Sequence, residues 1–216
     1  MKKKIGCVLL LLFMCSGCTV IQSSSYEEIL QEAVNKNTVT TNVSRVGYKY
    51  YLPKGMRLLE HEESNEFLAH NEDVYYLYVD YISYYNKIKE DYEEKEDVVY
   101  SQKIAHGDNF GYLEIKNTLN DKYFIEIMYN YAKIEVIVEK EDAKESIAYA
   151  MSILSSIKYQ DTVLASLMDE DVLTSNETLH NIFETAQTES GYLEIVEEYG
   201  QYEEDNETVD PDFIRR

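Results

Sequence analysis

The chain has 216 residues, 44% of them hydrophobic, with 41 acidic against 20 basic residues and a net charge of −21. That length and apolar share specify one packed domain with extensions and exclude a wholly disordered chain. The acidic balance excludes nucleic acid as an expected partner, because a phosphate backbone rewards positive charge, and it also repels anionic lipid headgroups.

The first segment reads as a leader. Lys2, Lys3 and Lys4 form a positive start, and Ile5 to Met14 is an apolar run shorter than the roughly 20 residues a spanning helix needs. Ser16 and Gly17 then place small residues before Cys18. All three cysteines, Cys7, Cys15 and Cys18, lie in this segment, so no disulfide, zinc–thiolate site or cysteine nucleophile is expected beyond it. Cys15 and Cys18 stand in C-x-x-C spacing. A redox pair of that spacing opens a helix after a strand, and a zinc site needs further ligands; this pair ends an apolar leader instead.

The segment resembles a bacterial lipoprotein signal, in which a short apolar run leads to a lipobox whose cysteine becomes the mature N-terminus. The resemblance implies a signal peptide over 1–17, cleavage between Gly17 and Cys18, and a diacylglyceryl thioether on Cys18. Cys15 stands where the family usually has Leu. An uncleaved anchor over Ile5 to Ile21 is the alternative. Loss of the leader leaves 17 basic against 41 acidic residues, a net charge of −24, so attachment would rest on acyl chains and not on a basic patch.

Residues 18–25 read as a lipidated tether. A capping box, Ser24 with Glu27 or Ser25 with Glu28, then opens a helix over about 26–36, with Tyr26, Ile29, Leu30, Ala33 and Val34 on one face. From Thr38 the period becomes two. Strands are expected over 45–53, ending at Pro53, after the Lys54-Gly55 turn, and over 65–85 in two pieces around Asn71-Glu72-Asp73. Residues 86–97 are a highly charged connection, and 98–105 form another strand. Three strands follow within 110–140. Tyr123, Ile125, Ile127 and Tyr129 alternate with Phe124, Glu126, Met128 and Asn130, which puts polar groups on one sheet face and demands a cover on the other. The stripe Ala143, Ile147, Ala150, Met151, Leu154 and Ile157 supplies that cover as a helix over 141–157.

The expected class is therefore α+β: an antiparallel meander covered by helices, with its domain over 26–159, a helical appendage over 160–200 and an acidic tail over 201–216. In the appendage Leu179, Ile182, Phe183 and Ala186 fall on one helical face. The element order, with Tyr51, Leu52, Pro53, Gly55 and Met56 early, resembles the PsbP/Mog1-like fold, some of whose members carry a Y-x-L-P-x-G-W segment; Met56 replaces the aromatic. That resemblance implies a binding or assembly module.

No familiar chemistry stands out. His61, His70, His106 and His180 are not spaced as ligands on one helix face, and no H-E-x-x-H, G-x-S-x-G or phosphate-cradling loop occurs. The run at 169–177 fails as a calcium loop because Leu173 and Thr174 fall on the third ligand and glycine positions. Neither cofactor nor metal is expected. The tyrosine-rich run at 74–85 offers a candidate binding surface through Tyr76, Tyr78, Tyr81 and Tyr84, since exposed Tyr gives rigid amphipathic contact area. Together these readings give a lipid-anchored, non-enzymatic module on the outer face of the cytoplasmic membrane of a Gram-positive-type cell, with an envelope or protein partner. A cell-envelope hydrolase using an Asp/Glu pair is the alternative.

Overall fold

The structure is a computed structural model and describes residues 21–36, 40–62, 64–89 and 91–169. Cys18 and its leader, the calcium-like run from Asp171, the appendage helix around Leu179 and the tail over 201–216 lie outside the described residues. Among the described residues no helix is long and apolar enough to cross a membrane.

Seven antiparallel strands make the main sheet. In chain order they are β3 (Arg57–Glu62), β4 (Asn65–His70), β5 (Asp73–Val79), β6 (Tyr100–His106), β7 (Asn109–Asn117), β8 (Tyr123–Tyr129) and β9 (Ala132–Val138). Their spatial order is β3-β4-β5-β9-β8-β7-β6. Two meanders thus meet where β5 pairs with β9, and residues 80–99 carry the chain from the sheet centre to its β6 edge. A smaller sheet joins β1 (Val43–Ser44), β2 (Tyr48–Tyr50) and β10 (Lys158–Tyr159).

The alternation read from the sequence sets the two faces. Leu68, Tyr75, Val136, Ile125 and Ile115 are successive register partners, so they line one face, and all are buried. Helix α3 (Ala143–Leu154), the next helix along the cover, lies on that face against β8 and β9 and buries Ile147, Ala150, Met151 and Leu154. Helix α1 (Tyr26–Asn35) packs on α3 in turn. Its capping box is Ser25 with Glu28: the Glu28 N–H donates to Ser25 Oγ (3.1 Å), and the Ser25 N–H donates to Glu28 Oε2 (2.8 Å).

Three expectations change. The run at 74–85 is not one strand: β5 stops at Val79, and α2 (Tyr81–Asn86) follows. Asp80 makes the break, its carboxylate accepting from the Ser83 N–H at 2.8 Å as an N-cap. The strand expected over 45–53 shrinks to β2 and joins the small sheet. Packing also continues past residue 159. Helix α4 (Asp161–Asp169) buries Leu164 completely, against Gly47. A Cβ at Gly47 would lie 2.5 Å from Leu164 Cδ2, and its φ of +88° favours glycine independently.

At the β4–β5 turn, Asp73 faces Asp142, which precedes α3. Burial, with the Asp142 charge added, pushes the Asp73 carboxyl from 3.8 up to about 6. The folded chain therefore holds a proton that the unfolded chain releases between those values, and stability falls as pH rises through that window. Asp73→Asn should raise the melting temperature near pH 7 and leave it unchanged below about pH 3.5, where the carboxyl is neutral in both states. Thermal melts at the two pH values check this; equal shifts at both would contradict it.

Candidate functional site

Three places gather polar or aromatic groups: the polar face of the main sheet, an aromatic cluster at one end of that sheet, and a groove between the two helices of the cover.

The polar face carries a row of three glutamates. Glu114, Glu126 and Glu135 are direct register partners across β7, β8 and β9. They are 1%, 3% and 6% exposed, so these carboxylates are buried although they lie on the polar face. Each carboxylate is engaged. Lys133 Nζ lies 2.7 Å from Glu135 Oε1 and 4.0 Å from Glu126 Oε2. The Tyr112 hydroxyl donates to Glu126 Oε1 at 2.6 Å. Lys95 and Lys116 reach Glu114 at 2.9 and 2.7 Å. The charged connection over 87–99 crosses this face. Its Tyr92 ring stacks on Tyr112 (4.1 Å, 7°), and its hydroxyl donates to Glu114 Oε2 at 2.8 Å. Burial raises the Glu126 pKa, with Lys133 and the Tyr112 hydroxyl opposing the rise. Glu114 is lowered, because hydrogen bonds from Lys116, Lys95 and Tyr92 together outweigh its burial.

The four tyrosines singled out from sequence separate into two groups. Tyr76 and Tyr78 stand on β5 and share the polar face. The Tyr76 ring lies 5.2 Å from Phe67, and its hydroxyl donates to Asn65 Oδ1. Tyr81 and Tyr84 belong to α2. Tyr84 stacks on Tyr159 (3.7 Å, 12°), meets Tyr131 edge-on (5.6 Å), and donates to Asp161 Oδ1 at 2.9 Å. Lys87 Nζ sits 3.7 Å above its other face. Both faces of that ring are therefore covered from within the domain.

The groove lies between α1 and α3. It is half open, with a volume of about 320 Å³. Ile21, Ile29, Ala33, Ala148 and Tyr149 supply apolar walls, and Ser24, Glu32, Lys36 and Glu145 add polar groups. The His70 ring lies against the Tyr149 ring, tilted to it (4.1 Å, 39°). Sequence periodicity assigned Ile29 and Ala33 to packing; nothing in it marked a groove between α1 and α3.

Residues 21–23 form a helical turn, closed by the Ser24 N–H donating to Ile21 O at 3.2 Å. Ile21 packs on the hydrophobic core. Gln22 Nε2 donates to Glu141 O (3.3 Å), and Lys144 Nζ donates to Gln22 O (2.8 Å). The expected tether over 18–25 is thus docked on the domain from Ile21 onward.

Among the described residues no cluster of three or more His, Cys, Asp and Glu side chains is arranged to hold a metal ion. Comparison of the chain with protein-family models, with curated proteins and with solved structures found no match.

Proposed function

We propose that the chain is a bacterial lipoprotein: a binding module held at the outer face of the cytoplasmic membrane by a diacylglyceryl group on Cys18. The observation that carries this reading is the lysine-led apolar run ending at Ser16-Gly17-Cys18, followed within three residues by a docked Ile21. Cleavage between Gly17 and Cys18 removes the leader and none of the described fold. Each methylene buried in a bilayer contributes about 0.8 kcal/mol, and two acyl chains hold a protein stably where one does not. Three residues span at most about 10 Å, so the domain would ride close to the bilayer surface despite its charge.

The binding half of the proposal rests on the groove, whose volume is near the low end of ligand sites, about 300 Å³. The polar face supports a hydrolase less well. Its carboxylates are engaged by lysines and tyrosines of the domain, among them Tyr92, which bonds Glu114 and stacks on Tyr112.

Cys18→Ala should abolish incorporation of a clickable fatty acid in growing cells and leave an unprocessed chain on a gel. Undiminished labelling of the variant would overturn the assignment of Cys18.

A further inference from the structure

The groove and the anchor are neighbours in the chain. Ile21 lines the groove and packs, half-buried, against the core, and only Thr19 and Val20 separate it from Cys18. Three residues reach at most about 10 Å, so any group on the Cys18 sulfur starts close to the groove's Ile21 end. The docked turn fixes that end through Gln22, which is tied to Glu141 and Lys144 beside α3.

We propose that the groove between α1 and α3 takes part of one acyl chain of the protein's own Cys18 lipid. This rests on the lipoprotein reading and adds a specific occupant. The shape fits a segment of chain: about 320 Å³ holds roughly ten methylene-sized groups, counting about 30 Å³ each as for a water molecule. The surfaces fit as well. Ile21, Ile29, Ala33, Ala148 and Tyr149 present apolar walls to the methylenes of the chain. Bound this way, the seated segment holds the domain in a fixed orientation against the bilayer, while the rest of that chain and the second chain stay in the membrane.

The test grows cells expressing the full chain with a diazirine-bearing palmitate analogue, irradiates them, and maps crosslinked peptides by mass spectrometry. Crosslinks should concentrate in peptides from α1 and α3, at Ile29, Ala33, Ala148 or Tyr149. Ala148→Phe fills the groove without touching Cys18, and should remove most of those crosslinks while label uptake is unchanged. Label on Cys18 with crosslinks only to membrane lipids would overturn the groove assignment and leave the anchor standing. Absence of label from the wild-type chain would overturn both. Should Ala148→Phe fail to fold, the wild-type crosslink map decides the matter alone.

Discussion

Glu66→Ala should be among the most damaging single substitutions in the domain, costing about 3–5 kcal/mol. Glu66 sits on β4, on the sheet face that α3 covers, and is 0% exposed. Its carboxylate accepts from Arg45 Nη2 (2.7 Å), from the Tyr50 hydroxyl (2.7 Å) and from the Tyr48 hydroxyl (2.9 Å). Tyr48 and Tyr50 lie in β2, so one carboxylate ties the small sheet to the large one. Burial, strengthened by the Glu66 charge, pushes both phenols far above their usual range, so each remains a donor at every working pH. Truncation to Ala strands a largely buried guanidinium and two buried hydroxyls together, and unpaired groups of this kind carry the full desolvation penalty. At about 2–4 °C per kcal/mol, the melting temperature should fall by roughly 10 °C. Calorimetry of the variant checks this, and a fall under about 2 °C would show that Glu66 does not hold the two sheets.

The second large effect belongs to Lys133. Lys133→Met keeps the length of the side chain and removes the one ammonium placed between Glu126 and Glu135. Two carboxylates that are 3% and 6% exposed then lose a shared cation, and stability should drop by about 3–5 kcal/mol near pH 7. The loss should depend on pH with a defined sign. Burial already raises the Glu126 pKa above 4.5, and Lys133 opposes that rise. Without the cation the folded-state pKa climbs further, so the folded chain binds a proton that the unfolded chain has released. The Glu126 part of the penalty is absent while the folded wild type keeps Glu126 protonated, and it grows as pH rises past that raised folded-state value. Melts from pH 4 to pH 8 should therefore diverge between wild type and variant as pH rises; curves that run parallel would contradict the pairing.

These two clusters also mark where sequence reading stopped short. Period-two alternation identified the strands and their faces, because apolar residues occupy every second position within 123–129 and again within 132–138. The stripe from Ala143 to Leu154 identified the helix that covers them. The same alternation put Glu126 on a polar face and did not show that this face is buried. Alternation tells two faces apart; it does not tell water from a lysine supplied by a neighbouring strand or by the connection over 87–99. Glu66 was illegible for a related reason. It shares a face with Leu68, and its partners come from residues 45–50, whose placement depends on the small sheet formed with Lys158 and Tyr159. Such short pairings carry too few residues for a periodic signal.

The tyrosine-rich run shows a local choice overriding a pattern. Tyr75, Leu77 and Val79 keep strand alternation, and continuing it through Tyr81 was the natural reading. Asp80 diverts the chain because its carboxylate caps the next turn, and α2 then turns Tyr84 toward Tyr131 and Tyr159. The docked start of the domain was hidden for another reason. Ile21 and Gln22 follow a leader and precede three serines, a composition typical of a tether, yet their partners lie far along the chain in Glu141 and Lys144.

Intact-mass spectrometry of the full-length product, extracted from the membrane fraction of expressing cells, tests the lipoprotein reading most directly. The predicted mass is that of a chain beginning at Cys18 and carrying a diacylglyceryl group on its sulfur. A mass corresponding to an unmodified chain that retains Lys2, Lys3 and Lys4 would contradict it.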